Sequence, residues 1–292
     1  MKSMYLSIAL LSANIGFAQT GMETHYKIYD THLKKEISLP DIISGSRNAD
    51  VLFFGEEHND SACHYMEDTL FKALYGALGD RLALSLEMIE SDGQITLDEY
   101  LKGFIPEDRF AKDVRLWSNY KDYRPMVEFA KKKGMDVVAA NTPRRYVSMV
   151  TKRGMASLDS LSKSSRTFLP PLPYDTLPGR YREHFIEVMQ GSPGGGNPNV
   201  YYSQNLWDAG MSYRIQQYLK RHKHSVVFHC VGRFHCDEKL GTLAQLQKRN
   251  PKLRIMNISS FSDASFAHPD WDKFSYLGDF VILTDPDLKK TF

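Results

Sequence analysis

The chain has 292 residues, 25 % of them charged, and a formal net charge of +2. That length suits one large α/β domain or a domain with an inserted subdomain, and so balanced a charge lacks the basic footprint of a nucleic-acid binder. Beyond the N-terminus no apolar run approaches the ~20 residues of a membrane helix, so no transmembrane segment is expected in the mature chain.

In chain order, the first residues have the arrangement of an export signal. Lys2 is the positive head, residues 4–11 are mostly apolar, and Gly16-Phe17-Ala18 supplies small residues before a cleavage point. Cleavage after Ala18 would leave residues 19–292 as an exported protein, periplasmic or secreted. No cysteine lies near that point, which argues against a lipid anchor. The three cysteines are Cys63, Cys230 and Cys236. An odd number leaves at least one thiol unpaired in a monomer. The pattern leaves a disulfide open but favours separate buried thiols.

Apolar runs of strand length follow at 51–54, 82–86, 137–140, 226–231, 255–258 and 280–283. Most lack polar alternation, as strands covered on both faces do. Between the first two, Ala62, Tyr65, Met66, Leu70, Ala73, Leu74, Ala77 and Leu78 keep helical spacing over 61–78, with Asp60 as N-cap and Gly79 as stop. Residues 90–133 hold helices around 98–102 and 124–133. Residues 144–220 are longer and helix-rich, broken at 170–173 and at the Gly/Pro-rich stretch 191–198. Residues 236–248 read as one helix with Asp237 and Glu238 in its first turn. The alternation predicts an α/β fold: a mainly parallel central sheet flanked by helices, with the insertions at about 90–133 and 144–220 forming a helical lobe over the carboxyl edge of the sheet.

Two of these strands end in the same grammar, Gly55-Glu56-Glu57-His58 and Gly232-Arg233-Phe234-His235. Parallel strands deliver the residues after them to one edge, where ligands bind in open α/β sheets. Glu87 ends the second strand, and Asn141, Arg144 and Arg145 come after the third. His58, His235 and Glu87 are suitable ligands for a divalent metal such as Zn, Mn or Fe. In that case Glu57 or Glu87 could activate a water. Arg144 and Arg145 could hold a carboxylate or phosphate. Taken singly, a Gly-x-x-His is weak: a lone His58 suits a helix cap and a lone His235 a buried imidazole. The pair is the stronger signal. His229 reads as a core histidine, His222 and His224 as a solvated turn, and His64 as an exposed or rim residue.

Six motifs in order resemble the ChaN-like haem-binding uptake family, a branch of the Tiki/TraB superfamily. They are Gly55-Glu56-Glu57-His58, Leu86-Glu87-Met88, Tyr123-Arg124-Pro125-Met126 with Ala130, Ala139-Ala140-Asn141-Thr142-Pro143-Arg144, the run from Gln204-Asn205-Leu206-Trp207-Asp208 to Ser212, and Gly232-Arg233-Phe234-His235. Ser212 stands where the family has a small Ala, and Arg233-Phe234 where it has smaller residues. The resemblance implies an exported protein of haem or iron uptake that holds haem, with a homodimer and haems face to face at its interface. It also implies ligand roles near Glu56, Trp207, Asp208 and Arg233. A phenolate for the iron could come from Tyr201 or Tyr202, and propionate partners from Arg144, Arg145 and Arg214. The Tiki branch supplies the alternative, a metal-dependent hydrolase or peptidase built on the two Gly-x-x-His motifs.

Overall fold

The computed structural model describes residues 21–190 and 196–292. The expected export signal at 1–18 and most of the 191–198 stretch lie outside the described residues.

Eight strands form one sheet: β1 (Tyr26–Asp30), β2 (Lys35–Ile37), β3 (Val51–Glu56), β4 (Leu82–Glu90), β5 (Val137–Asn141), β6 (Val226–Gly232), β7 (Ile255–Ser262) and β8 (Phe280–Thr284). Their spatial order is β2-β1-β8-β7-β3-β6-β4-β5. The six apolar runs are the parallel strands β3 to β8, each longer than its apolar stretch by one or more residues. The pair β1 and β2 closes the β8 side antiparallel and carries no comparable apolar run.

The helices are α1 (Leu39–Ser46), α2 (Ser61–Leu78), α3 (Gln94–Leu101), α4 (Glu107–Val114), α5 (Tyr120–Lys133), α6 (Arg144–Arg153), α7 (Lys163–Arg166), α8 (Arg180–Met189), α9 (Pro198–Arg221) and α10 (Gly241–Arg249). Strand periodicity of two sends Leu52 and Phe54 into a core with Leu70, Phe71 and Leu74 of α2 and Met126 and Val127 of α5. It sends Val51 and Phe53 to the other face, against Met211 and Ile215 of α9 and Leu243 and Leu246 of α10. The result is a sheet covered on both faces. The insertion at 90–133 packs into the main core through α3, α4 and α5. Residues 144–220 hold an apolar cluster of their own, in which Tyr146, Val147 and Val150 of α6 meet Leu206 and Ala209 of α9. Among the described residues no helix is long and apolar enough to cross a membrane.

Two expectations are corrected. The run 236–248 is not one helix. A turn at Arg233–His235 is followed by another at Asp237–Lys239, where Glu238 and Lys239 take positive φ of 58°, and α10 starts only at Gly241. The Asp237 carboxylate is taken by the Arg233 guanidinium, 2.8 Å away, so it is not spent on a first helical turn. His64 is buried, at 6 % exposure, because the first turn of α2 tucks beneath the chain at His58 and against Tyr123. All three cysteines are free and buried.

Asp60 starts α2 as expected: one carboxylate oxygen accepts from the amides of Ala62 (2.9 Å) and Cys63 (3.0 Å). Its other oxygen accepts from the Thr284 hydroxyl at 2.6 Å, tying the helix to β8. Asp60→Ala removes a cap and orphans a buried hydroxyl, and is expected to cost about 2 kcal/mol. Urea unfolding at unchanged slope reads this directly; an unaltered midpoint would show that the cap contributes nothing.

Candidate functional site

The chain runs from β3 outward to β4 and β5, then returns to insert β6 between β3 and β4 before passing to β7 on the other side of β3. This is a reversal of strand order, the place where open α/β sheets leave a crevice at their carboxyl ends. Glu56 is in register with Gly232 on β6, which brings the two Gly-x-x-His turns side by side. Glu87 lies on β4 where its ladder with β5 loses register between Leu86 and Glu90; such irregularities re-aim side chains next to sites. Its Oε2 accepts from the Gly232 amide at 2.7 Å.

Both glycines are required by close approach. A Cβ on Gly232 would stand 2.7 Å from His58 Nε2, and one on Gly55 would stand 2.5 Å from Cys236 Sγ and 3.1 Å from the Arg233 backbone. The first lets the imidazole lie over β6; the second lets the two turns nest.

Each histidine is oriented by a buried carboxylate. His58 Nδ1 lies 2.7 Å from Glu56 Oε1, and His235 Nδ1 lies 2.7 Å from Asp208 Oδ1. A carboxylate only accepts, so each Nδ1 carries the hydrogen and each Nε2 is turned to the Glu87 side. His235 Nε2 is 3.6 Å from Glu87 Oε1. Asp208 is held in turn by Thr242 (2.9 Å) and Tyr181 (2.5 Å). Glu56 also accepts from the Tyr123 hydroxyl at 2.5 Å. Burial opposes the charge on His58, but the Glu56 bond and the Glu87 charge prevail and push its pKa up to about 9. The same contest, against Glu87 and Asp208, raises His235. Burial of Glu56 is outweighed by His58 and His64, and its pKa falls to about 2. His229, as expected, is a core residue: burial pulls it down to about 3, and it bonds Ser85 at 3.0 Å.

Two clefts meet at His58. The larger has a volume of about 760 Å³ and is walled by Leu116, Trp117, Asn119 and Arg144 beside His58. Trp117 sets its ring edge-on to the His58 imidazole, centroids 5.1 Å apart, and Asn119 donates to the His58 carbonyl at 3.1 Å. Arg115 is paired with Glu90 (3.0 Å) and Asp92 (2.8 Å), and Arg145 with Asp92. Arg144 also faces this cleft and makes no ion pair among the described residues. The second cleft is bordered by Glu57, Gln204, Arg233 and His235.

Of the remaining candidates, Glu57 and Arg233 border the second cleft but are engaged by other partners, and the others fall elsewhere. Glu57 is drawn toward β7, where its carboxylate accepts from Ser262 at 3.0 Å and faces Lys290 and Arg233. It therefore sits on the far side of β3 from Glu87. Arg233 is tied to Asp237 and lies 3.9 Å over the Phe261 ring. Asn141 turns its oxygen back to the Thr142 amide. Trp207 packs in the apolar clusters on α9. Arg214 donates to the Thr167 carbonyl and borders a different cavity, with Tyr218 and Asp136. Tyr201 is buried and donates to the Leu177 carbonyl; Tyr202 lines a separate cavity of about 410 Å³ with Arg182 and Phe185. Neither tyrosine borders either cleft at His58.

Sequence reading missed Trp117, Asn119, Tyr181 and Thr242. It also missed His64 and Glu67 of α2, which lie behind Glu56. Among the described residues, the donors gathered within 4.8 Å of one another are those of Glu56, His64 and Glu67, rather than His58, Glu87 and His235.

The two carboxylate-bound imidazoles stand at the switch point of an α/β sheet, the place where open sheets of this class bind ligands. Residues 42–246 match the family described as "Haem-binding uptake, Tiki superfamily, ChaN", and the chain belongs to that family. Among solved structures it is similar to "Cofacial heme binding to ChaN of Campylobacter jejuni", at 20 % identity and TM-score 0.67, covering 89 % of this chain and 97 % of that one. It also matches a mutant of the erythromycin esterase EreC in its open conformation, at 10 % identity and TM-score 0.48, covering 89 % of this chain and 83 % of that one. The type III effector HopBA1 matches at 11 % identity and TM-score 0.45, over 85 % and 93 %. No curated protein sequence matches the chain.

The raised His58 pKa carries a sign. Pairing with Glu56 stabilises the fold fully below the unfolded histidine value of about 6.5, and the gain is lost as pH rises through about 9. In metal- and haem-free protein, the stability gap between wild type and His58→Gln should be widest near pH ~6 and close by pH ~10. Urea unfolding across that window tests it; a gap of constant size would mean that His58 is not held in its charged form.

Proposed function

We propose that this is an exported haem-binding protein of haem or iron uptake, and that haem lies in the larger cleft at His58. The cleft itself carries the reading. Its volume of about 760 Å³ is within the range of small-molecule sites, ~300–1,000 Å³. Trp117 and Leu116 offer an apolar wall to a porphyrin face, the His58 imidazole at the junction of the two clefts would offer the iron a nitrogen on giving up a proton, and Arg144 offers a propionate a cation. Haem supplies iron for transfer; the residues of the chain bind and orient it. Export is supported by the pattern of residues 1–18. A homodimer with facing haems is the arrangement the family resemblance implies, and haem binding in the Campylobacter jejuni ChaN structure is described as cofacial.

Haem added to the apo-protein should shift the Soret band with near-stoichiometric uptake. His58→Ala should weaken binding roughly tenfold or more, about 1.4 kcal/mol, and Arg144→Ala by a smaller factor. Full binding in His58→Ala with loss in Tyr202→Phe would move haem to the smaller cavity and make the phenolate the ligand. No spectral change with micromolar haem would sink the reading altogether.

The pairing of each Nδ1 with a carboxylate favours a second reading, a metal-dependent hydrolase or peptidase. There His58, His235 and Glu87 would hold a divalent ion, and Glu87 or a water beside it would take the proton. Glu57 does not fit as the base, since Ser262, Lys290 and Arg233 occupy it on the β7 side. Metal-dependent cleavage of simple esters or peptides, abolished in His235→Ala, is the result expected on this reading.

A further inference from the structure

Behind the edge site lies a cluster that neither reading uses. Glu56 and Glu67 are fully buried, at 1 % and 0 % exposure, and His64 is 6 % exposed. His64 Nδ1 lies 3.1 Å from Glu56 Oε2 and 3.1 Å from Glu67 Oε2. Its other nitrogen, Nε2, sits 3.0 Å from the His58 carbonyl oxygen. A carbonyl only accepts, so Nε2 carries a hydrogen and Nδ1 is the atom turned toward the two carboxylates. Glu56 Oε2 and Glu67 Oε1 have no hydrogen-bond donor, nor does the buried Asp122 Oδ2, which lies 3.8 Å from His64 Nε2. Three carboxylates thus face one imidazole in a buried space, with His58 reaching Glu56 from its outer side. These carboxylate oxygens are left without donors, and unsatisfied polar atoms in a buried space are costly.

We propose that Glu56, His64 and Glu67 form a buried site for a divalent first-row metal ion such as Mn²⁺ or Zn²⁺. The donor atoms of the three residues lie within 4.8 Å of one another. Metal–nitrogen and metal–oxygen bonds of about 2.1 Å place neighbouring donors about 3 Å apart in an octahedral site and about 3.4 Å apart in a tetrahedral one, close to the 3.1 Å separations around His64 Nδ1. The partners such a site needs are in place. The His58 carbonyl orients His64, and the Tyr123 hydroxyl holds Glu56 Oε1. This ion is distinct from one on His58, Glu87 and His235. It would hold Glu56 rigid through one oxygen, and Glu56 through its other oxygen orients the His58 imidazole. The inner site therefore positions the outer one.

The test uses the full chain, purified haem-free and without chelator from cells supplied with Mn²⁺ or Zn²⁺, followed by elemental analysis. One ion per chain is expected in wild type and in the His58→Ala/His235→Ala double variant. The isosteric Glu67→Gln should reduce metal affinity roughly a hundredfold or more. Because that variant removes a buried charge and can fail to fold, the wild-type melting temperature is also measured before and after chelation, and a fall is expected. A metal-free wild type with a melting temperature indifferent to chelator overturns the proposal. So does an ion that survives Glu67→Gln but leaves with His58 and His235.

Discussion

A carboxylate buried at the end of a strand must find donors or positive neighbours or lose its charge, and Glu56 at the end of β3 meets them on three sides. Tyr123 of α5 donates to its Oε1 at 2.5 Å and His58 of its own turn at 2.7 Å, while His64 of α2 sets its imidazole 3.1 Å from the other oxygen without a hydrogen bond to it. The strand, the helix after it, and the crossover helix between β4 and β5 are thereby pinned to one point. The imidazole of His58 takes its direction from that point, and the cleft takes its floor from the imidazole. The room for this comes from Gly232, where any side chain would occupy the place of His58 Nε2.

Much of the frame is legible from residues alone. Six apolar runs without alternation point to strands covered on both faces, and all six are the parallel strands of the sheet. The hairpin β1–β2 is hidden because Lys27, Lys35 and Glu36 interrupt any apolar pattern on an outer edge. The convergence of His58, Glu87 and His235 follows from the rule that parallel strands share a carboxyl edge. Tyr201, Tyr202 and Arg214 cannot be sorted in the same way. The helix that carries them, α9, has 24 residues and so spans about 36 Å. Along it, Gln204 and Asp208, one turn apart on the same face, meet His235. The pair His64 and Glu67 has a subtler signal: a carboxylate among Cys63, Met66 and Leu70, on the apolar stripe of a helix that otherwise faces the core.

The charge of the clefts is decided less by the number of basic residues than by which of them are already engaged. Asp92 takes both Arg115 and Arg145, Glu90 assists with Arg115, and Asp237 takes Arg233. The sequence has several arginines after strand ends; the folded chain leaves Arg144 as the cation of the larger cleft without an acidic partner among the described residues. An anionic group entering there meets a single directional donor set rather than a diffuse basic surface, which favours one orientation of a ligand over many.

The late insertion of β6 between β3 and β4 also constrains the order of assembly. During synthesis β3 and β4 emerge long before the strand that separates them, and each then presents an open ladder of amides and carbonyls. Residues 91–225 must be made before the gap can be filled. A chain released or halted within that interval carries the His58–Glu56 pair but lacks His235, and it exposes apolar edges, which makes it a natural client for holdase chaperones and proteases. The same topology means that fragments ending before β6 lack Gly232 and His235, and with them the neighbour over which the His58 imidazole lies.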